Sequence, residues 1–284
     1  MVLLLAALIS LLTTVGIVAS LLGETIKFFQ EVGVWSFIAD GDWKPLFSDP
    51  QFGIWPLING TLLITGVAVA VAVPLGLGSA IYLAEYATPR ARKIIKPVLE
   101  VLVGVPTVVL GFFALTFVTP EILDGLLGLD VQIFNALSAG LVMGIMIVPT
   151  IASVSEDAMS AVPGGLREGA FGLGSSKLQT STRVVFPAAL SGIVAAVILG
   201  VSRGIGETMI ALIAGGQLPN TGLNPTQPFE TITAFIGATA KGDNPAGTVG
   251  YYSIFACGMT LFLLTLIMNA ISIRFVRKYR QVYE

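Results

Sequence analysis

Six stretches of the chain run as near-continuous apolar segments, without the apolar–polar alternation of a half-buried helix or strand. Their approximate limits are residues 2–22, 57–84, 98–118, 133–155, 186–214 and 251–273. About 20 apolar residues, rising about 1.5 Å each, cross the ~30 Å hydrocarbon core of a bilayer. The pattern predicts an all-α, polytopic membrane protein with six transmembrane helices. Prolines fall inside three of the segments, at Pro74, Pro106 and Pro149. Each removes a backbone hydrogen bond and bends its helix, a break tolerated where neighbouring helices or water satisfy the freed carbonyl. Gly140 and Gly144 have the G-x-x-x-G spacing that lets two helices approach closely.

Composition agrees. The chain has 284 residues, 55% hydrophobic and 11% charged, with a mean hydropathy of +0.88. A soluble domain carries about 25% charged residues. The position of charge matters more than its sum. Arg90, Arg92, Lys93 and Lys96 follow the second segment, Arg167, Lys177 and Arg183 follow the fourth, and Arg274, Arg277, Lys278 and Arg280 follow the sixth. The alternate loops hold only Lys27, Lys44 and Lys241. They carry the acids Glu24, Glu31, Asp40, Asp42, Asp49, Glu121, Asp124, Asp130, Glu230 and Asp243. Basic loops stay cytoplasmic, so both termini are expected in the cytoplasm of a prokaryotic cell, with the chain in its inner membrane. Trp35, Trp43 and Trp55 cluster in the first outer loop, where interfacial anchoring is the simplest role. The last outer loop, 215–250, is rich in Gly, Pro, Asn and Thr and faces the side where a delivery protein would dock. No basic residue precedes the first apolar run, and Val18-Ala19-Ser20 only loosely resembles a cleavage site, so a retained first helix is expected.

Enzymatic chemistry has little to work with. Histidine is absent and Cys257 is the one cysteine. A Ser-His-Asp or Cys-His set and a cysteine-based metal site are therefore excluded. No P-loop is present: the nearest approach, Gly169 to Lys177, has Ser175 and Ser176 between Gly174 and the lysine. The chain is read as a transport subunit with no catalytic residues, no metal and no cofactor of its own, and no affinity for nucleic acid.

The segment between the fourth and fifth spans differs from the other loops. From Pro163 to Pro187 it fits two short amphipathic helices broken around Gly174, a rigid cytoplasmic elbow that a partner could grip. Glu168-Gly169-Ala170, three residues, Gly174, nine residues, then Val184, Phe186 and Pro187 resemble the EAA signature of ABC-importer permeases, with Gly, Val and Phe replacing its Ala, Ile and Leu. The resemblance implies a type I importer fold. It also implies that Arg167, Glu168, Gly169, Ala170, Gly174 and Pro187 belong to the coupling helix that docks on a separate ATPase. Residues 1–56 would form a first helix and outer loop. Residues 57–284 would form a five-helix permease core, with the coupling loop at 156–185.

Within the fifth span lie Arg203 and Glu207, four residues apart and so expected on one helix face. A charge near the bilayer centre costs at least about 2.5–3.5 kcal/mol on insertion scales. Pairing would reduce that cost, and a buried ion pair fixing helix register is one reading. The other gives Arg203 a passing oxyanion, with Glu207 orienting it and preventing a trap. Arg203-Gly204-Ile205-Gly206-Glu207-Thr208-Met209 resembles the R-A-L-G-E-T-M stretch of phosphate-specific ABC permeases of the PstC type. Ala80–Tyr86, Gly104–Leu115 and Phe229–Ile236 agree, and the likeness runs from about residue 50 to the end. It implies a substrate pathway through Arg203, Glu207 and Thr208. It implies as partners a second, homologous permease, two ATP-binding subunits that hydrolyse ATP, and an extracytoplasmic phosphate-binding protein. Sulfate permeases share R-A-L-G-E, usually without Thr-Met, so sulfate or molybdate stays open as cargo. An ion-driven secondary transporter is a further alternative.

Overall fold

The computed structural model of the protein describes residues 2–279 except Leu46, Ser48, Asp243 and Asn244. Two of the charges counted above, Asp243 and Arg280, lie outside the described residues. The fold is all-α apart from one two-residue hairpin. Helix α1 covers Val2–Glu31 and α2 covers Val34–Ala39. Strands β1 (Trp43–Lys44) and β2 (Gln51–Phe52) pair antiparallel, Trp43 opposite Phe52. Helix α3 (Trp55–Ile81) opens with Pro56 in its first turn, where a missing N–H is harmless, and carries Pro74 inside. A wider π-helical turn, Tyr82–Tyr86, follows it. Then come α4 (Pro89–Val103) and α5 (Thr107–Phe113), the latter prolonged as a π-helix over Ala114–Leu126. Helix α6 (Ala136–Ser160) is capped by Asn135, whose side chain accepts from Ser138 N at 2.7 Å. The remaining helices are α7 (Gly164–Gly172), α8 (Lys177–Thr180), α9 (Phe186–Ala188), α10 (Leu190–Ile205), α11 (Ile232–Thr239) and α12 (Val249–Tyr279). Among the described residues five helices are long and apolar enough to cross a membrane. A sixth appears when the segments on either side of a 73° bend, Lys177–Ala188 and Leu190–Ile205, are taken as one span.

Helix α6 is the centre of the bundle. Met143, Met146, Ile147 and Ile151 on it are fully buried. The Gly140/Gly144 spacing works as expected: a Cβ on Gly140 would lie 2.6 Å from Val67 Cβ, and one on Gly144 only 2.8 Å from the Ala68 carbonyl oxygen. The α3 backbone therefore rests directly on α6. Helix α10 also packs on α6, and α12 packs on α10 and α1. Helix α1 buries none of its most apolar stretch, and Leu3, Ile9 and Leu12 point outward, as suits lipid.

Three boundaries differ from the sequence expectation. The third span is not 98–118 but Thr107–Leu126. The chain turns at Gly104–Pro106, Pro106 caps α5 from outside instead of bending a span, and the basic residues 90–96 sit on the amphipathic helix α4. The fifth span is interrupted: α10 ends at Ile205, and a helical stretch resumes at 209–215. Finally, 215–250 is not an open loop. Its first half folds back on the bundle, with Ala136 N bonded to Gln227 O and Phe229 N to Gly215 O, and residues Phe229–Phe235 are buried. Trp43 is likewise no interfacial anchor. It is 2% exposed within a cluster of Phe28, Phe37, Phe52 and Phe235, its ring perpendicular to that of Phe235 at 4.9 Å. Trp35 and Trp55 remain exposed.

Candidate functional site

The elbow is built as its sequence requires. Pro163 precedes α7, the helix ends at Gly172, and Gly174 adopts φ +84°, a left-handed turn that glycine takes without a Cβ clash. Ser176 and Gln179 then form a reciprocal capping box that starts α8. Pro187 sits exposed in α9, just before the 73° bend into α10. Glu168, Gly169, Phe171, Leu173 and Leu178 are exposed, whereas Ala170 is buried against the bundle. The elbow thus presents an apolar outer face of unusual exposure, with Leu173 at 90%.

Arg167 points the other way. Its Nε and Nη2 donate to Glu85 Oε1 at 3.1 and 2.9 Å, and its Nη1 and Nη2 donate to the carbonyls of Val162 and Met159 at 2.7 and 2.8 Å. Those carbonyls lie at the end of α6, so one guanidinium ties the elbow to the ends of both α3 and α6. The Lys177 ammonium lies 5.0 Å from the centre of the Tyr86 ring and adds a second tie. A neighbouring network holds α4. Glu156, only 2% exposed, accepts from Arg92, from Lys96 Nζ at 2.8 Å and from Ser160 Oγ at 3.1 Å, and Lys96 also reaches Asp157 at 2.9 Å. Sequence reasoning passed over Glu85 and Glu156. A usable signal was present: both acids adjoin the basic segments 90–96 and 167–183, where cationic partners are at hand.

The second candidate lies where the fifth span breaks. Arg203 and Glu207 do not share a helix face, because the helix stops at Ile205, before Glu207. Among the described residues no ion pair joins them. Glu207 Oε1 accepts instead from the N–H groups of Met209 and Ile210, at 3.0 and 3.3 Å, capping the resumed helical stretch. Thr233 Oγ1 on α11 donates to the Glu207 carbonyl at 2.7 Å, and Thr208 packs against Gly237 of the same helix. Backbone freed by the break is therefore satisfied by protein, as a membrane interior demands. Arg203 is half-buried and gives one hydrogen bond, Nη1 to Thr150 Oγ1 on α6 at 3.0 Å. A guanidinium has five N–H donors, so most of its capacity is unspent. The hydroxyl of the preceding residue, Ser202, is buried and has no partner among the described residues. The arrangement can offer several donors and one positive charge to a transient anion. Among the described residues no group of three or more acidic or cysteine side chains could hold a metal.

Comparison with known proteins settles the class. The family model described as the binding-protein-dependent transport system inner membrane component matches residues 72–281. The chain belongs to that family, the permeases of ABC importers. Two relatives are close over nearly their whole length. The probable ABC transporter permease protein YqgH of Bacillus subtilis is 34% identical over 97% of this chain and 89% of its own. The phosphate transport system permease protein PstC of Haemophilus influenzae is 32% identical over 97% and 92%. Among solved structures, a bacterial alginate ABC transporter in complex with an alginate pentasaccharide-bound periplasmic protein superposes with TM-score 0.68. That match is at 18% identity and covers 99% of this chain and 96% of the other. It carries the fold and nothing finer. The permease is a multi-pass membrane protein and a transport subunit, and the ion-driven alternative gives way to the ABC class.

Proposed function

We propose that this permease imports inorganic phosphate as one half of the membrane pathway of an ATP-driven transporter. The reading is carried by Arg203, a guanidinium with free donors placed at the break of a membrane helix. It is supported by several phosphate permeases of about 30–32% identity among the relatives. The substrate pathway runs past Arg203, Glu207 and Thr208. A transient anion exchanges with the weak Thr150 contact, and Glu207 keeps the neighbouring amide groups occupied so that the anion is not held too tightly. Tight binding would stall release.

Residues 57–284 act as the core, and residues 1–56 as a peripheral helix with its loop. The elbow end faces the cytoplasm together with both termini. A second, homologous permease completes the pathway, and two ATP-binding subunits hydrolyse ATP outside this chain. They grip the exposed face around Glu168, Leu173 and Leu178. Movement then passes inward through Arg167 to α3 and α6, and through Pro187 to α10. An extracytoplasmic phosphate-binding protein delivers cargo at the other end. Phosphate uptake into proteoliposomes holding the complete complex tests the reading. Arg203→Ala is expected to lower uptake at least a hundredfold with assembly intact, and Arg203→Lys to restore only part. Uptake in the wild type that sulfate or molybdate displaces better than phosphate overturns the cargo. Normal uptake in Arg203→Ala overturns the role of the arginine.

A further inference from the structure

At the end of the bundle away from the elbow, the hairpin, the 217–221 loop and α11 enclose a cavity of about 710 Å³. Pro56, at the start of α3, lines it, whereas Glu85, just past the end of α3, holds the elbow. A 27-residue helix, about 40 Å long, separates the two places. Trp43, Phe47 and Phe235 contribute aromatic wall, and Phe47 at the mouth is 70% exposed. Two carboxylates line it: Asp42, paired with Lys44 of the same wall, and the buried Glu230. Glu230 is 6% exposed, lines the cavity, and makes no side-chain hydrogen bond or ion pair among the described residues.

Its position is fixed with care. The Glu230 N–H donates to Leu218 O at 3.0 Å, and its carbonyl oxygen sits where a Cβ on Gly60 would come within 2.2 Å. The next residues are pinned as well: Ile232 N to Thr61 Oγ1 at 3.0 Å, and Ala234 N to Thr231 Oγ1 at 3.0 Å. An unpaired buried carboxylate costs stability, yet the backbone holds this one in place. The surrounding surface is acidic. Glu24, Glu31, Asp40, Asp42, Asp49, Glu121, Asp124 and Asp130 belong to this end; of its lysines, Lys27 and Lys44 pair with Glu24 and Asp42, and Lys241 is exposed beside Gly242 of the cavity wall.

We propose that the Glu230 cavity is a socket for one basic side chain, arginine or lysine, projecting from the extracytoplasmic binding protein. The inference rests on the reading above that such a protein delivers cargo at this end. The cation would meet the Glu230 carboxylate, its aliphatic stem would lie along Trp43 and Phe235, and the exposed Phe47 ring would cover the stem at the mouth. Burial pushes the pKa of the Glu230 carboxyl up to about 8. Among the described residues the other ionisable groups near it are Asp42 and Lys44, paired with each other, and the buried Cys257 of α12. Docking a cation therefore expels a proton, and docking should tighten as pH rises from 6 towards 8, by up to about tenfold per unit for one full proton.

Docking of the purified phosphate-binding protein to the complete complex in nanodiscs, measured at pH 6, 7 and 8, tests this. Wild type should show the rise. Glu230→Gln, which keeps the shape and removes the charge, should bind at least tenfold more weakly at pH 8 and with a flat pH profile. Glu230→Asp should recover part of both, and argininamide in excess should compete with the wild-type interaction alone. Equal docking of wild type and Glu230→Gln with the same pH profile overturns the socket while leaving the importer reading intact. Absence of any docking to the wild-type complex overturns the importer reading and the socket with it. Competition by argininamide without any effect of Glu230→Gln places the basic contact elsewhere and also overturns the proposal.

Discussion

The two ends of this permease handle buried charge in opposite ways. At the elbow end Glu156 is buried and surrounded by Arg92, Lys96 and Ser160, and the Arg167 guanidinium is shared between Glu85 and two main-chain carbonyls. At the far end the packing is aromatic, and the one buried carboxylate, Glu230, has no side-chain partner among the described residues. A fully partnered buried charge fixes elements to one another, because separating them strands a charge in low dielectric. An unpartnered carboxyl holds a proton instead, and stays neutral until about pH 8. The first arrangement suits a lever that must move as one piece. The second suits a surface that meets a partner intermittently.

Changes that leave a charge stranded should break this comparison most visibly. Replacing Arg92 and Lys96 together by Met strands Glu156 and should cost about 3–5 kcal/mol, the scale for breaking a buried pair. It would be read as a large fall in the thermal unfolding temperature in detergent. An unchanged unfolding temperature would mean that the network is ornamental. Next in size is Arg167→Ala. It leaves the exposed outer face of the elbow in place but cuts its ties to α3 and α6. Uptake is expected to fall at least tenfold while the assembled complex still hydrolyses ATP. Lys at position 167 should rescue poorly, since one ammonium lacks the planar fork that reaches Glu85 and two carbonyls at once. Loss of ATPase binding in Arg167→Ala would instead place the residue on the partner face.

Glu230 supplies a smaller effect of opposite sign. Its carboxyl is raised in the folded protein, so the folded state holds its proton more tightly than the unfolded one. Stability should therefore decline as pH rises above the ordinary carboxyl range and on through about 8. Glu230→Gln should remove most of that decline and unfold at a higher temperature than wild type at pH 8. A variant less stable than wild type at that pH would indicate a hidden partner for the carboxylate. Smallest of all in stability is Leu173→Ser on the exposed elbow face, where surface changes stay within about 0.5 kcal/mol. Its unfolding temperature should not move, yet co-purification of the ATP-binding subunits should weaken.

Much of this architecture was legible in the sequence because its causes are local. A bilayer selects apolar runs of a given length, so the spans could be counted. Pro163 and Gly174 each impose a backbone conformation on their own neighbourhood, so the elbow and its break at Gly174 could be placed. Hydropathy, however, carries no information on where an apolar run is broken. That Pro106 starts a helix instead of bending one, and that the fifth span stops at Ile205, depends on what packs alongside: Gly111 against Met209 O, and Thr233 against the Glu207 carbonyl. Four-residue spacing places Arg203 beside Glu207 only if the helix is continuous, and it is not. The cationic partners of Glu85 and Glu156 lie 60 to 82 residues away in the chain. Glu230 has no side-chain partner among the described residues. Such matters are settled by the meeting of distant segments, which no local pattern encodes. The sequence by itself therefore determined the number of spans, the elbow and the sorting of charge. The tertiary structure alone decided which buried charges are paired within this chain and that Glu230 has no side-chain partner among the described residues.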